Sequence, residues 1–466
     1  MLKKLFTNTL LFGIAPYVPK IVSVFLLPVM TKYLTATDYG IAGVIDAYTQ
    51  GLTALSTLGF SSVLSIIFFR SKFQYKILWR EIYGFLQYWM VIFALLQGTI
   101  LYFIIPEEAV ENKWWIILLT NFSNVFFGAT SIIGNSYYVL NMKALPIVMR
   151  TMIAGIATVL ASYLLVVHFR LGYLGWYVGS FVGSFIVNAS YWYTVNIQLK
   201  LTPILNFKKR TILKYLKVSL PTVPHYYTAF LMNGSSKMVM NVYSCPINIL
   251  GQANIVLQIG GVLESWVSAI NQAINPMTMK EIRERNELKA STMIYVYLGL
   301  TYLCTFLVAV WSREIFSLLI SNTELAATYP YAILFVMALN YRPMYVAASN
   351  IFFYYENTTA LLKVSFLSGL IALVLYCLLI PFYSVWGVVI GYYIAAICMG
   401  YSGFLTSFFR DKSKVEYPYK KILLLQVFLT VAAYVIAECA VMLKIIVSLL
   451  FVVVVLLLLK KRKDNK

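Results

Sequence analysis

Long apolar runs recur along this 466-residue chain at nearly even spacing, and no water-soluble fold has the interior to bury them all. Runs such as 82–105, 115–140 and 443–459 are each long enough to cross a hydrocarbon core of about 30 Å as a helix rising 1.5 Å per residue. A transmembrane β-barrel would instead show shorter segments of alternating polarity. Composition agrees, with 61% hydrophobic and only 12% charged residues, too little polar surface to cover a soluble globule.

The runs predict fourteen helical segments, at 5–30, 39–69, 82–105, 114–140, 145–168, 175–195, 217–243, 250–275, 292–318, 329–355, 362–382, 385–409, 422–438 and 443–459. The net charge of +20 comes from 37 basic and 17 acidic residues, and position explains it. With the N-terminus inside, 29 of the lysines and arginines fall on the cytoplasmic side and five outside (Lys32, Lys113, Arg170, Arg313, Lys444), while Lys20, Lys237 and Arg342 lie within segments. This is the positive-inside signature, and it predicts both termini in the cytoplasm. The clusters Lys208-Lys209-Arg210 and Lys460-Lys461-Arg462-Lys463 read as anchors near anionic lipid. Nucleic acid is not an expected partner, because no basic stripe lies on a soluble domain.

Lys3 and Lys4 precede the first segment as they would in a signal peptide, but no small-residue cleavage site follows, so a retained first helix is expected. The five cysteines are scattered without a C-x-x-C pair, which gives neither a metal site nor a disulfide framework. Two histidines, no P-loop and no nucleophile motif leave no catalytic residues to assign and imply no cofactor. The loops are too short for an ATPase, so energy for transport must come from an ion gradient, the membrane potential or the substrate's own gradient.

Two echoes divide the chain. Pro16-Tyr17-Val18-Pro19-Lys20 in segment 1 returns as Pro221-Thr222-Val223-Pro224-His225 in segment 7, and Leu174-Gly175-Trp176-Tyr177-Val178-Gly179 in segment 6 returns as Trp386-Gly387-Val388-Val389-Ile390-Gly391 in segment 12. Both pairs are six segments apart, an even number, so the halves enter the membrane the same way up. The expected architecture is an all-α membrane protein of about fourteen transmembrane helices. Two six-helix bundles, 1–200 and 201–410, are related by a pseudo-two-fold axis along the membrane normal; 411–466 adds two C-terminal helices and a basic cytoplasmic tail. Pro16, Pro19, Pro221 and Pro224 are the expected hinges, since proline removes a helical hydrogen bond and the freed carbonyl must then face protein or water.

Polar residues recur on single helical faces: Asn254, Gln258, Gly261, Ser265, Ser268, Gln272 and Asn275 in segment 8; Asn121, Asn124, Gly128, Ser131 and Asn135 in segment 4; Asp46, Gln50, Thr53 and Thr57 in segment 2. Such faces meet either neighbouring helices or a hydrated vestibule. Charges are also expected within the hydrocarbon, at Lys20, Asp46, Lys237, Glu264 and Arg342, with His225 at the repeat position of Lys20. Each charge costs about 2.5–3.5 kcal/mol at the centre of an isolated helix. Internal pairing, Lys20 with Asp46 or Lys237 with Glu264, would offset that cost. The alternative is that Lys20, His225, Lys237 and Arg342 form a substrate-binding surface for an anion, Arg342 gripping phosphate with two parallel bonds. Asp46 and Glu264 then serve in charge pairing or take up a coupling ion, H+ or Na+.

The run Phe25-Leu26-Leu27-Pro28-Val29-Met30-Thr31-Lys32-Tyr33-Leu34-Thr35-Ala36-Thr37-Asp38-Tyr39-Gly40, followed by Leu58-Gly59-Phe60, resembles the opening of Wzx-type polysaccharide repeat-unit flippases of O-antigen and capsule assembly. These belong to the multidrug/oligosaccharidyl-lipid/polysaccharide (MATE-like) exporter superfamily. Where members carry Asp-Arg in segment 7, this chain has Ser236-Lys237, which keeps the cation and loses the acid. The resemblance implies a flippase in the bacterial cytoplasmic (inner) membrane. Its cargo would be an undecaprenyl-diphosphate-linked oligosaccharide carried to the outer leaflet by alternating access, with membrane lipids, a polysaccharide polymerase and glycosyltransferases as partners. Tyr137, Tyr138, Tyr191, Tyr193, Tyr226 and Tyr227 fit sugar-stacking surfaces and interfacial aromatic belts equally well. The alternatives are a MATE-like drug/ion antiporter, which the basic excess opposes, and a peptidoglycan-precursor flippase, which would share fold and charge.

Overall fold

The structure, a computed structural model, describes residues 18–70, 74–220, 223–413 and 417–464. Pro16 and Pro221 lie outside the described residues, as do the side chains of Lys20 and His225. The described residues are almost entirely helical, with no strand among them. Ten helical stretches are long and apolar enough to cross a membrane, so the chain is an all-α membrane protein. Segment 1 is described only from Val18, segment 6 is rich in glycine and tyrosine, and segments 7 and 10 are interrupted; these four are not among the ten.

The chain forms two compact units, the first running to Phe230 and the second from Leu231 to Lys466. In the first, α1 (Val18–Tyr33) is followed by α2 (Ala36–Thr57), α3 (Phe60–Arg70), α4 (Tyr75–Ile104), α5 (Lys113–Leu140), α6 (Ala144–Tyr163), α7 (Gly172–Tyr193) and the amphipathic α8 (Lys209–Ser219). Helix α9 (Val223–Asn233) carries the boundary between the units. The second unit continues with α10 (Ser235–Val242), α11 (Ile247–Arg283), α12 (Glu287–Val310), α13 (Ser312–Leu319), α14 (Thr323–Ala326), α15 (Tyr329–Ala338), α16 (Arg342–Tyr354), α17 (Thr358–Tyr383), α18 (Val385–Leu405), α19 (Ser407–Lys412), α20 (Tyr419–Ala437) and α21 (Val441–Asp464).

The motif behind the family resemblance has a mechanical explanation. Asp38 completes a capping box for α2: its Oδ2 accepts from the Thr35 N–H at 2.8 Å, while Thr35 Oγ1 accepts from the Asp38 N–H. Its other oxygen accepts from the Tyr173 N–H at 3.0 Å in the first turn of α7, and Tyr39 sets its ring edge-on to Trp176, 5.3 Å away. One carboxylate thus satisfies orphan donors at two helix N-termini, where negative charge is favoured. Leu58-Gly59 breaks segment 2, with φ of 46° and 71°, a backbone that glycine adopts freely. Trp89 Nε1 donates to the Leu55 carbonyl at 3.0 Å on the α2 side of that break.

The Gly-rich echo marks close helix packing in each unit. In α7, a Cβ added at Gly179 or Gly183 would fall about 2 Å from Ser162 Oγ or Thr158 Oγ1 of α6. In α18, one at Gly387 or Gly391 would fall under 3 Å from Ile380 or Tyr376 of α17. Close approach of backbones is what small residues supply where hydrocarbon removes the hydrophobic drive between helices.

Replacing Asp38 by alanine removes the carboxylate bonds to both the Thr35 and Tyr173 N–H groups. It should cost about 1–2 kcal/mol, read as a lowered unfolding temperature in detergent, with Asp38→Asn recovering part of the loss through its remaining acceptor.

Candidate functional site

Segment 10 presents the candidate site because it cannot run through as one helix. Pro343 has no N–H and its ring crowds the carbonyl four residues back, and the helix narrows to a 3₁₀ turn at Leu339–Tyr341 before α16 opens on Arg342. Pro343 stands in the first turn of α16, where its missing donor costs nothing. The Asn340 carbonyl accepts from Gln426 Nε2 of α20 at 2.7 Å, and Gln426 Oε1 accepts from the Tyr401 hydroxyl at 2.5 Å. Asn340 Oδ1 takes a 2.5 Å bond from Thr305, and the Tyr341 hydroxyl donates to Tyr393 at 2.6 Å. Gln426, Asn340 and Thr305 are fully buried, so the break is rigid and internally satisfied.

A cation at the start of a helix opposes the helix dipole, so Arg342 needs a counter-charge, and Glu264 of α11 supplies it with Oε1 2.6 Å from Nη1. Internal pairing thus holds for Glu264, with Arg342 rather than Lys237 across the 2.6 Å bond. Lys237 is buried in α10, and its Nζ donates to Asn254 Oδ1 at 3.1 Å. The Arg342 and Glu264 side chains remain 33% and 25% exposed at the protein surface. Tyr297, Tyr345 and Tyr392 stand within electrostatic reach of the guanidinium, fixed respectively by a bond to the Val267 carbonyl, a bond with Ser365 and stacking on Phe335. One turn before Glu264, a Cβ added at Gly261 would meet open space.

Asp46, the α5 stripe, Pro19 and Pro224 belong to the first unit. Asp46 is half-buried in α2 within reach of Tyr177 of α7, and Gln50 and Thr53 on the same helix are exposed. The stripe of α5 meets mostly protein rather than a vestibule: Ser131 donates to Asn188 of α7 at 2.5 Å, Gly128 faces Met90, and Asn121 and Asn124 bond back to their own helix. Helix packing explains that face, leaving only Asn135 of the five exposed. Pro19 and Pro224 each stand second in a described helix, and the described interruption of segment 7 falls at Gly234. Sequence reasoning missed the break at Leu339–Tyr341, for which Pro343 was the available signal. It also missed Gln426, a lone amide in an apolar segment, and Lys444, fully buried with its Nζ 2.6 Å from Glu314 Oε1. With Trp311 bonded to Ser448 and Tyr434 to the Pro330 carbonyl, these contacts fasten α20 and α21 to the rest of the second unit.

No protein-family model and no curated protein sequence matches the chain. Solved structures do. The lipid II flippase MurJ in an inward closed conformation aligns with a TM-score of 0.71 at 16% identity, covering 96% of this chain and 98% of MurJ. An inward-facing multidrug resistance MATE transporter aligns at 0.60 with 12% identity, over 90% and 95% of the two chains. A eukaryotic MATE transporter aligns at 0.52 with 16% identity, over 90% and 97%. The chain has the fold that these transporters share.

Gln426→Leu should strand the Asn340 carbonyl and the Tyr401 hydroxyl without disturbing volume greatly. The expected cost is about 1–3 kcal/mol, visible as a lowered unfolding temperature. Glu264→Gln leaves the Arg342 guanidinium without its counter-charge and should cost about 1.5–3 kcal/mol, read in the same way.

Proposed function

We propose that this protein is a flippase of the bacterial inner membrane, crossing it fourteen times with both termini in the cytoplasm. It carries a polyprenyl-diphosphate-linked oligosaccharide repeat unit to the outer leaflet for O-antigen, capsule or similar polysaccharide assembly. The observation that carries this reading is the partly exposed Arg342–Glu264 pair at a helix break, beside the open face at Gly261. A diphosphate matches the planar fork of a guanidinium better than one carboxylate oxygen does, so cargo can displace Glu264 from Arg342. The released carboxylate then takes up a proton or sodium ion, which links cargo binding to an ion gradient. Likeness in fold to a flippase and to MATE transporters supports movement of a substrate, and the opening motif supports the polysaccharide class. Carriage of the peptidoglycan precursor is the second reading, favoured by the likeness to MurJ.

A deletion strain should accumulate lipid-linked oligosaccharide on the inner leaflet, and wild type should restore export. Arg342→Gln should lower transport about 10- to 100-fold, as expected for loss of a charge-assisted contact, and Gly261→Trp should block it while leaving the unfolding temperature unchanged. Unchanged glycolipids with altered dye resistance would identify a drug exporter, and rescue of a strain lacking its peptidoglycan-precursor flippase would identify the second reading.

A further inference from the structure

A second arginine has an environment of a different kind. Arg150 of α6 lies with its guanidinium carbon 4.9 Å from the ring centres of both Tyr138 and Tyr191. Its Nε donates to Ser190 Oγ at 2.8 Å, Nη1 to the Pro146 carbonyl at 2.9 Å, and Nη2 to Thr194 Oγ1 at 2.8 Å and the Tyr138 hydroxyl at 3.4 Å. Every partner is neutral. Among the described residues, no carboxylate lies within ion-pair distance of Arg150. Four of its five N–H groups are used, and one on Nη1 is left over. Neutral dipoles and ring faces orient a guanidinium and stabilise it, but they do not cancel its charge.

Position sharpens the point. Arg150 lies within two turns of the start of α6, and Ser190 and Thr194 lie where α7 widens into a π-helical turn at Thr194–Gln198. Lys143, just before α6, is exposed with its Nζ 5.8 Å from the Tyr137 ring centre, and Tyr137 itself contacts Tyr138 at 5.5 Å. Lys200, just after the π-helical turn, is exposed as well. A fixed guanidinium and two exposed lysines therefore gather at one end of the α5–α6–α7 group, the end that the basic-residue distribution assigns to the cytoplasm.

We propose that Arg150 is the centre of a phosphate site at the membrane boundary of the first unit, occupied by the headgroup of an anionic phospholipid from the cytoplasmic leaflet. The headgroup oxygen takes the remaining Nη1 hydrogen, Lys143 and Lys200 supply long-range attraction, and the acyl chains run along the lipid-facing surface, where Met149, Ile153 and Tyr193 are exposed. The Arg342–Glu264 pair belongs to the second unit, and the lipid site does not depend on the transport reading.

The test uses the full chain purified in detergent. Phosphatidylglycerol should raise the unfolding temperature of wild type by about 3 °C relative to phosphatidylcholine. Arg150→Met should lose most of that rise, Lys143→Gln should lose part of it, and Arg150→Lys should keep part of it. An equal rise with inorganic phosphate alone would assign the site to free phosphate and overturn the lipid assignment. Since Arg150→Met also removes a clamp and can fail to fold, wild type is probed in parallel with a diazirine-bearing phosphatidylglycerol. Label concentrated on peptides covering 143–153 and 190–200 supports the site; label spread evenly over all lipid-facing helices, or a full lipid response in Arg150→Met, overturns it.

Discussion

Hydrocarbon offers no partner to a backbone carbonyl, so a membrane helix can be broken only where other protein groups take over the lost bonds. The break at Leu339–Tyr341 is the place where that constraint organises most of the second unit. Pro343 makes the break, Gln426 closes it from α20, Tyr401 holds Gln426, and Tyr393 and Thr305 hold the neighbouring residues. Without α20 the Asn340 carbonyl would lose its side-chain donor at membrane depth. The C-terminal helices are therefore structural members of the second unit, and the rigidity they provide is what fixes Arg342 at the mouth of α16.

Much of this was legible in the sequence, and the remainder was hidden for one physical reason. Apolar runs about twenty residues long report helices, and glycine spacing in segments 6 and 12 reports close packing, because both are local properties of one strand of chain. What covers a polar face is not local. The faces of α5 and α11 have the same periodicity, yet Ser131 meets Asn188 while Gly261 meets open space. Likewise Arg342 could be recognised as a cation in an apolar segment, but its partner stands 78 residues away and depends on how α11 approaches α16. The prolines of the repeated motif drew attention to segments 1 and 7. The break that builds the candidate site instead uses Pro343, which has no counterpart in that motif.

Two arginines show how the same side chain is put to different use by its acceptors. Arg342 is held by one strong ionic bond, and a bond of that kind can be exchanged: under the proposed function an incoming phosphate would offer the same charge with more oxygens, so the guanidinium would lose little when Glu264 leaves. Arg150 is held by four neutral acceptors and two rings, none of which a phosphate can replace without leaving them unsatisfied. A ligand at Arg150 must add to the existing bonds, whereas a ligand at Arg342 must compete with one.

That difference assigns opposite dynamic roles. Under the proposed function, competition at Arg342 would free a carboxylate whose charge a proton or a cation would then meet, so binding there would change the electrostatic state of the second unit. Addition at Arg150 changes no protein contact and satisfies a charge that the bundle has already oriented. A site that couples needs a charged partner it can release, and of these two arginines only Arg342 has one. The proposal that cargo meets the coupling ion at Arg342 rests on the kind of bond it makes with Glu264.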